Sequence, residues 1–244
     1  MIIKVIFSSR QSALLICLFT VFYFASLTVT GFSSYPDSKN VILPGKAPVE
    51  NLSSKVWLSK WWTWLASIPD DIHPLNKYPD VKRCSSMQNG PVYFLPNPQP
   101  GNKFNFECEI PHGHKILLPL TTTECENGGV EGKMDDKELK DCAFNIMTPL
   151  QNIQVTLDGM QVNIDGLGPP IETDYFNVTY PKNPLKIWGP INPGTYRAIA
   201  SGYYIFLNDL SPGKHNVQTK VVDLLKGRMS FELPAEANYD LLIK

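Results

Sequence analysis

Two histidines one residue apart form the arrangement in this chain that comes nearest to a metal site: His112-Gly113-His114, with Glu124 ten residues further on. Alternate side chains of a strand project to one side, so a His-x-His pair can present both imidazoles to one ion, with a carboxylate as third ligand. A carboxylate ten residues away is a wide gap for such a site, and the competing interpretation is a pair of solvent-facing turn residues. Glu107 and Glu109 offer a second chemistry. They share the polar face of one strand, with Cβ atoms about 6–7 Å apart at a rise near 3.4 Å per residue. A pair of that kind can serve acid–base hydrolysis of a glycosidic bond, although it more simply describes the wet side of a sheet. His73 and His215 stand alone and read as surface or packing residues. No Gly-x-Ser-x-Gly elbow, P-loop or His-Glu-x-x-His helix occurs, and no Ser/His/Asp set falls in an order that suggests a triad. No cofactor is indicated.

The cysteines divide one and four. Cys17 lies inside an apolar N-terminal run, and Cys84, Cys108, Cys125 and Cys142 follow it. Four thiols can close a tetrahedral zinc site. Intervals of 24, 17 and 17 residues, however, contain no Cys-x-x-Cys knuckle, so oxidised pairs are expected. Of the three connectivities, sequential pairing is favoured: Cys84 with Cys108, and Cys125 with Cys142. Each loop would stabilise the fold by about 3 kcal/mol on the chain-entropy model.

The elements that must position these residues are mostly short strands. Proline is frequent, at 21 residues, and short apolar runs alternate with turn residues. Phe104, Phe106, Cys108 and Ile110 alternate with Lys103, Asn105, Glu107 and Glu109, as in a half-buried strand. Ile153 to Leu157 alternates likewise, and Asp158-Gly159 predicts a hairpin turn into Met160 to Ile164. Gly202 to Leu207 is a continuous apolar run suited to a strand covered on both faces. Ser211-Pro212-Gly213 then turns into a strand from Lys214 to Val222. Two final strands, around Met229 to Leu233 and Tyr239 to Ile243, are expected on either side of Pro234 to Asn238. Two helices are predicted. Ser53 to Ser67 is capped by Ser53 or Ser54 and carries Trp57, Trp61 and Trp64 on one face, with Trp62 pointing elsewhere. Asp135 to Met147 has acids in its first turn. The expected architecture is an antiparallel β-sandwich, with a jelly roll as a variant, a Trp-rich N-terminal helix and one further short helix.

Lys4 and Arg10 precede the apolar stretch Ala13–Val29, the layout of a secretory signal. That run sits at the lower length limit for spanning a bilayer, and no Ala-x-Ala cleavage site follows. Residues 1–31 are therefore read as a signal peptide or an uncleaved N-terminal membrane anchor, residues 32–50 as a flexible linker, and residues 51–244 as one extracytoplasmic domain. The net charge of −1 argues against nucleic acid or an anionic membrane surface as partner. Asn51-Leu52-Ser53 and Asn177-Val178-Thr179 fit the N-glycosylation pattern. Exposed aromatics can stack on sugars, and Trp62, Trp188 and Tyr196 are the candidates, with Tyr203 and Tyr204 more economically placed in a core.

Several segments together resemble a family. They are Trp61-Trp62-Thr63-Trp64 with Ile68-Pro69 and His73-Pro74; Cys84 with Gln88-Asn89-Gly90-Pro91-Val92-Tyr93-Phe94-Leu95; Cys108-Glu109-Ile110-Pro111-His112-Gly113 with Pro119 and Glu124-Cys125; and Gly202-Tyr203-Tyr204 with Leu210-Ser211-Pro212-Gly213-Lys214-His215. Over nearly the whole domain the chain is similar to a family of uncharacterised exported bacterial and archaeal proteins. The resemblance implies export and one β-rich domain, and brings no activity with it. Histidine is not required at positions 112 and 114 in that pattern, which weakens the metal hypothesis.

Three functions follow as expectations: a non-enzymatic extracytoplasmic module binding a glycan or envelope component; a hydrolase or lyase of an extracellular polymer using Glu107, Glu109, Glu124 or the His112/His114 pair; and a structural envelope protein.

Overall fold

Apolar residues at every second position call for a sheet covered on one face, and continuous apolar runs call for cover on both. The structure, a computed structural model, describes residues 40–45, 47–76, 84–97, 103–128, 133–145, 153–224 and 232–244. The elements run β1 (Val41–Ile42), α1 (Ser54–Ser67), β2 (Val92–Phe94), β3 (Lys103–Ile110), β4 (Lys115–Glu126) and α2 (Asp136–Asn145). They continue with β5 (Ile153–Leu157), β6 (Met160–Gln161), β7 (Ile171–Glu172), β8 (Phe176–Tyr180), β9 (Gly194–Leu207), β10 (Gly213–Leu224) and β11 (Glu232–Ile243). Short 3-10 helices occupy Asp70–Ile72 and Lys186–Trp188.

One sheet has the order β1-β9-β4-β2, with β7 and β8 also paired to β9; the second has the order β3-β11-β10-β5-β6. Leu118 and Ile205 of the first belong to the same buried cluster as Val217, Tyr239 and Leu241 of the second, so the mainly β chain forms a sandwich-like pair of sheets. The sheets are mixed rather than purely antiparallel. β2 runs parallel to β4, and β3 runs parallel to β11. Hairpin connection enforces antiparallel pairing only between strands joined by a tight turn. β2 and β4 are separated by β3, which lies in the other sheet, and β3 and β11 stand far apart in sequence.

Alternation along β9 explains its apolar run. The Tyr204 hydroxyl donates to the Ser54 carbonyl at 2.9 Å, and Phe206 meets Trp57 edge-on at 6.1 Å. Those two residues face α1, which sends Tyr203 and Ile205 to the opposite side, toward the second sheet. On β3 the pattern is as expected: Phe106, Cys108 and Ile110 are buried, and Lys103, Asn105, Glu107 and Glu109 are exposed. Asp158 and Gly159 have φ of 52° and 77°, the left-handed pair that a tight two-residue hairpin requires.

Three local expectations change. The stretch read as a linker supplies β1, whose Val41 pairs with Leu207, because its apolar residues complete an edge of β9. β11 is one continuous strand across Pro234 to Asn238. β3 joins β11 only from Glu236 onward, so a missing N–H at Pro234 leaves no ladder bond unmade on that edge. Ser53 precedes α1 without a capping bond from its side chain; the Ser54 hydroxyl instead accepts from the Gly45 N–H at 2.8 Å. α2 opens on a reciprocal cap, Asp135 accepting from the Glu138 N–H while Glu138 accepts from the Asp135 N–H, each at 2.8 Å. Residues 1–31 lie outside the described residues. Among the described residues no helix is long and apolar enough to cross a membrane.

Both disulfides follow the sequential pairing. Cys84 joins Cys108 with Cα atoms 5.2 Å apart, and Cys125 joins Cys142 at 6.1 Å. Such pairs form in oxidising environments.

Candidate ligand-binding groove

The fold scatters the metal candidates. His112 and His114 occupy the turn between β3 and β4, where His114 Nδ1 lies 3.1 Å from the Pro111 carbonyl. Glu124 sits nine residues beyond Lys115 on β4, about 30 Å away at the strand rise. Among the described residues no three His, Cys, Asp or Glu side chains gather around a common point. Glu107 and Glu109 lie on the exposed face of β3, and Glu109 is held by Lys244 at 2.6 Å.

The stacking candidates Trp62, Trp188 and Tyr196 are each half-buried. Trp62 stands edge-on to Trp61 at 5.0 Å and 6.4 Å from Trp188. The segment leading to Trp188 is pinned over it by Asp70, whose carboxylate accepts the Lys186 N–H at 3.0 Å and pairs with the Lys186 ammonium at 3.3 Å. That backbone bond, with the ammonium's help and against the effect of burial, holds the Asp70 pKa below its ordinary value. Tyr196 packs against Tyr180 at 6.0 Å and lies across Gly194 and Gly128, where an added Cβ would come within 3.2–3.3 Å of its ring and hydroxyl. Trp62 and Trp188 meet at a tilt of 47° rather than in one plane, and Tyr196 packs against Tyr180 instead. His73 is buried: Nδ1 accepts the Leu75 N–H at 3.1 Å and Nε2 lies 3.1 Å from the Leu65 carbonyl, which fits the neutral ring protonated at Nε2. The sequon residues Asn51 and Asn177 are both exposed.

What the fold does assemble is a groove of about 430 Å³ between α1 and the segment 87–94. Helical spacing brings Trp57 and Trp64 to its floor, where Phe94 of β2 joins them at 6.2 and 5.5 Å. Lys60, Thr63 and Ser67 stand along the α1 wall, and Met87, Asn89 and Gly90 along the other. The second wall is braced. The Trp64 Nε1–H donates to the Ser86 carbonyl at 3.0 Å, and the Ser86 hydroxyl donates to the Ile72 carbonyl at 2.8 Å. The Gln88 side chain clamps β2, accepting the Phe94 N–H at 3.0 Å and donating to the Phe94 carbonyl at 2.8 Å. The Tyr93 hydroxyl donates to the Cys84 carbonyl at 3.1 Å, and burial pushes its pKa up to about 12. At the lip, Met87 is 51% exposed with a φ of 52°, a left-handed conformation rare for a residue with a side chain. Glu50, at one end, is engaged by Lys115 at 2.5 Å, whereas Lys60 forms no ion pair among the described residues.

Sequence order concealed a further cluster. His215 Nδ1 lies 2.7 Å from Asp158 Oδ2, and His215 Nε2 lies 2.9 Å from the Ser211 carbonyl and 3.4 Å from the Ser211 hydroxyl. The residue types are those of a catalytic triad, but the chemistry is that of a clasp. Both ring nitrogens face acceptors, so the imidazolium satisfies the site and holds no lone pair to take a proton from Ser211. Partial burial depresses the His215 pKa, and the bonds to Asp158 and the Ser211 carbonyl, with the Asp158 charge, outweigh that and raise it above 6.5. A histidine with a raised folded pKa contributes stability below its unfolded value and loses it as pH climbs through the folded one. Between about pH 5.5 and about pH 8.5 the wild-type protein should lose more stability than His215→Gln, by at most about 1 kcal/mol for so exposed a pair. Urea midpoints of both proteins at the two pH values measure the difference, and equal slopes would remove the clasp.

No protein-family profile and no curated protein matches the chain. Among solved structures, a chain of the structure of PbICP-C in complex with falcipain-2 aligns at 10% identity over 64% of this chain and 100% of that chain, with a TM-score of 0.23. Similarity at that level carries no argument about function.

Proposed function

We propose that this chain is an exported, non-enzymatic binding module that takes a glycan, or a sugar-bearing envelope component, in the groove beside α1. The observation that carries the reading is the groove's composition: a floor of the largely buried rings of Trp57, Trp64 and Phe94 under a rim of Lys60, Thr63, Ser67 and Asn89. Sugars present apolar C–H faces and a periphery of hydroxyls, so a ring floor and a donor-rich rim complement them. The two disulfides and the leader's charge pattern support work outside the cytoplasm. Binding is favoured over hydrolysis because Glu50, the carboxylate that lines the groove among the described residues, is tied to Lys115.

A glycan array followed by titration of the retained oligosaccharides tests the assignment. Tryptophan emission should shift on binding, because two of the chain's five indoles line the floor. Lys60→Ala combined with Asn89→Ala should weaken binding about tenfold by removing two rim donors. A wild-type protein that retains no glycan, or a double variant that binds unchanged, would overturn it.

A further inference from the structure

The outer face of the second sheet carries an uninterrupted row of amide and hydroxyl side chains that the groove does not use. Register aligns Asn105 of β3, Asn238 of β11, Gln218 of β10, Thr156 of β5 and Gln161 of β6 into one line across five strands. Beside it runs the row Lys103–Glu236–Lys220–Gln154, in which Glu236 holds Lys103 at 3.6 Å and Lys220 at 3.4 Å. On the other flank, Asn216 Nδ2 donates to Asn238 at 2.8 Å and to Asp240 at 2.7 Å, and Gln218 donates to Asn216 at 3.0 Å. These bonds fix the centre of the row. Asn105, Gln154, Thr156 and Gln161 form no side-chain hydrogen bond among the described residues and keep their donors and acceptors for solvent or a ligand. The face is hollowed by a depression of about 280 Å³ bounded by Asn105, Gln154, Thr156, Gln218 and Asn238 together with Lys103, Lys220 and Glu236.

We infer that this amide row is a second binding surface, which holds a neutral, extended polysaccharide lying across the strands. The inference rests on the glycan reading of the groove. The chemistry of the face selects the occupant. A protein partner needs an apolar centre, and the row has none. A polyanion needs a cationic face, and Lys103 and Lys220 are offset by Glu236 and, on the other flank, by Asp240 and Glu107. A polyhydroxyl chain needs closely spaced groups that both donate and accept, which amides and a threonine hydroxyl supply. The strand spacing of about 4.8 Å is close to the length of one sugar unit in an extended polysaccharide, so the five strands offer successive units one polar side chain each over about 19 Å.

Retention of the purified full-length protein on insoluble cellulose and chitin, and retardation in gels containing soluble β-glucan, test the surface. Gln154→Ala, Thr156→Ala and Gln218→Ala combined should weaken polymer binding about tenfold by deleting three partners. The triple variant should keep the wild-type affinity for short oligosaccharides in the groove and a cooperative urea transition. Thr156→Lys, which obstructs the row with a long side chain, should cause the same selective loss even if the triple variant proves unstable. Polymer binding undiminished in Thr156→Lys, or a wild-type protein that binds oligosaccharides and no polymer, would overturn the row and leave the groove standing. A wild-type protein that binds neither would overturn both.

Discussion

Trp61→Ala should lower the unfolding free energy by about 3–5 kcal/mol, the range for truncating a buried aromatic. Trp61 is 1% exposed, and its Nε1–H donates to the Leu95 carbonyl at 2.8 Å in a buried setting. The next carbonyl, of Pro96, accepts the Tyr239 hydroxyl from β11 at 2.8 Å. One short segment therefore ties α1 to the second sheet, and losing the indole loosens both sides of the core. Trp61→Phe separates the two contributions. It keeps most of the apolar area but strands the Leu95 carbonyl, at a cost of about 1–3 kcal/mol. Urea unfolding followed by circular dichroism reads both as a lower midpoint at constant slope. A Trp61→Ala loss below about 1 kcal/mol would show that the helix does not insert as described.

The second large effect concerns the disulfide between Cys84 and Cys108. Replacing both residues with alanine should cost about 3 kcal/mol from the loop released in the unfolded chain, a large part of a typical margin of 5–15 kcal/mol. It should also weaken ligand in the groove, because residues of the segment 87–94 form one wall and this bond anchors the chain leading into that wall to β3. Removing Cys125–Cys142 should cost a similar amount and leave groove affinity unchanged, since that bond attaches α2 to β4 and neither element lines the groove. Paired stability and binding measurements on the two double variants check the contrast. Equal effects on binding would place the groove elsewhere.

The Trp-bearing helix, the alternation of β3 and the Asp158-Gly159 hairpin were legible because each expresses a local rule: a period of 3.6, a period of 2, and a turn that needs positive φ. The sequential cysteine pairing was legible for a related reason, since each bond closes a short loop between neighbouring elements. Parallel pairing of β2 with β4 and of β3 with β11 was not. It depends on which strands enter which sheet, and no window of residues records that.

The groove was half visible. The helical spacing of Trp57, Lys60 and Trp64 places them on adjoining parts of one helix face, but Asn89, Gly90 and Phe94 meet them only after β2 docks and the first disulfide closes. The contact between Trp62 and Trp188 was hidden for the same reason: composition marks an aromatic side chain without saying what will pack beside it.

The amino-acid sequence alone determined most of the element types and favoured the cross-links that form, because periodicity, turn chemistry and cysteine placement act within a few residues or along a short loop. Tertiary structure alone decided which polar and aromatic groups share a surface, since β-sheet register converts residues more than a hundred positions apart, such as Asn105 and Asn238, into neighbours.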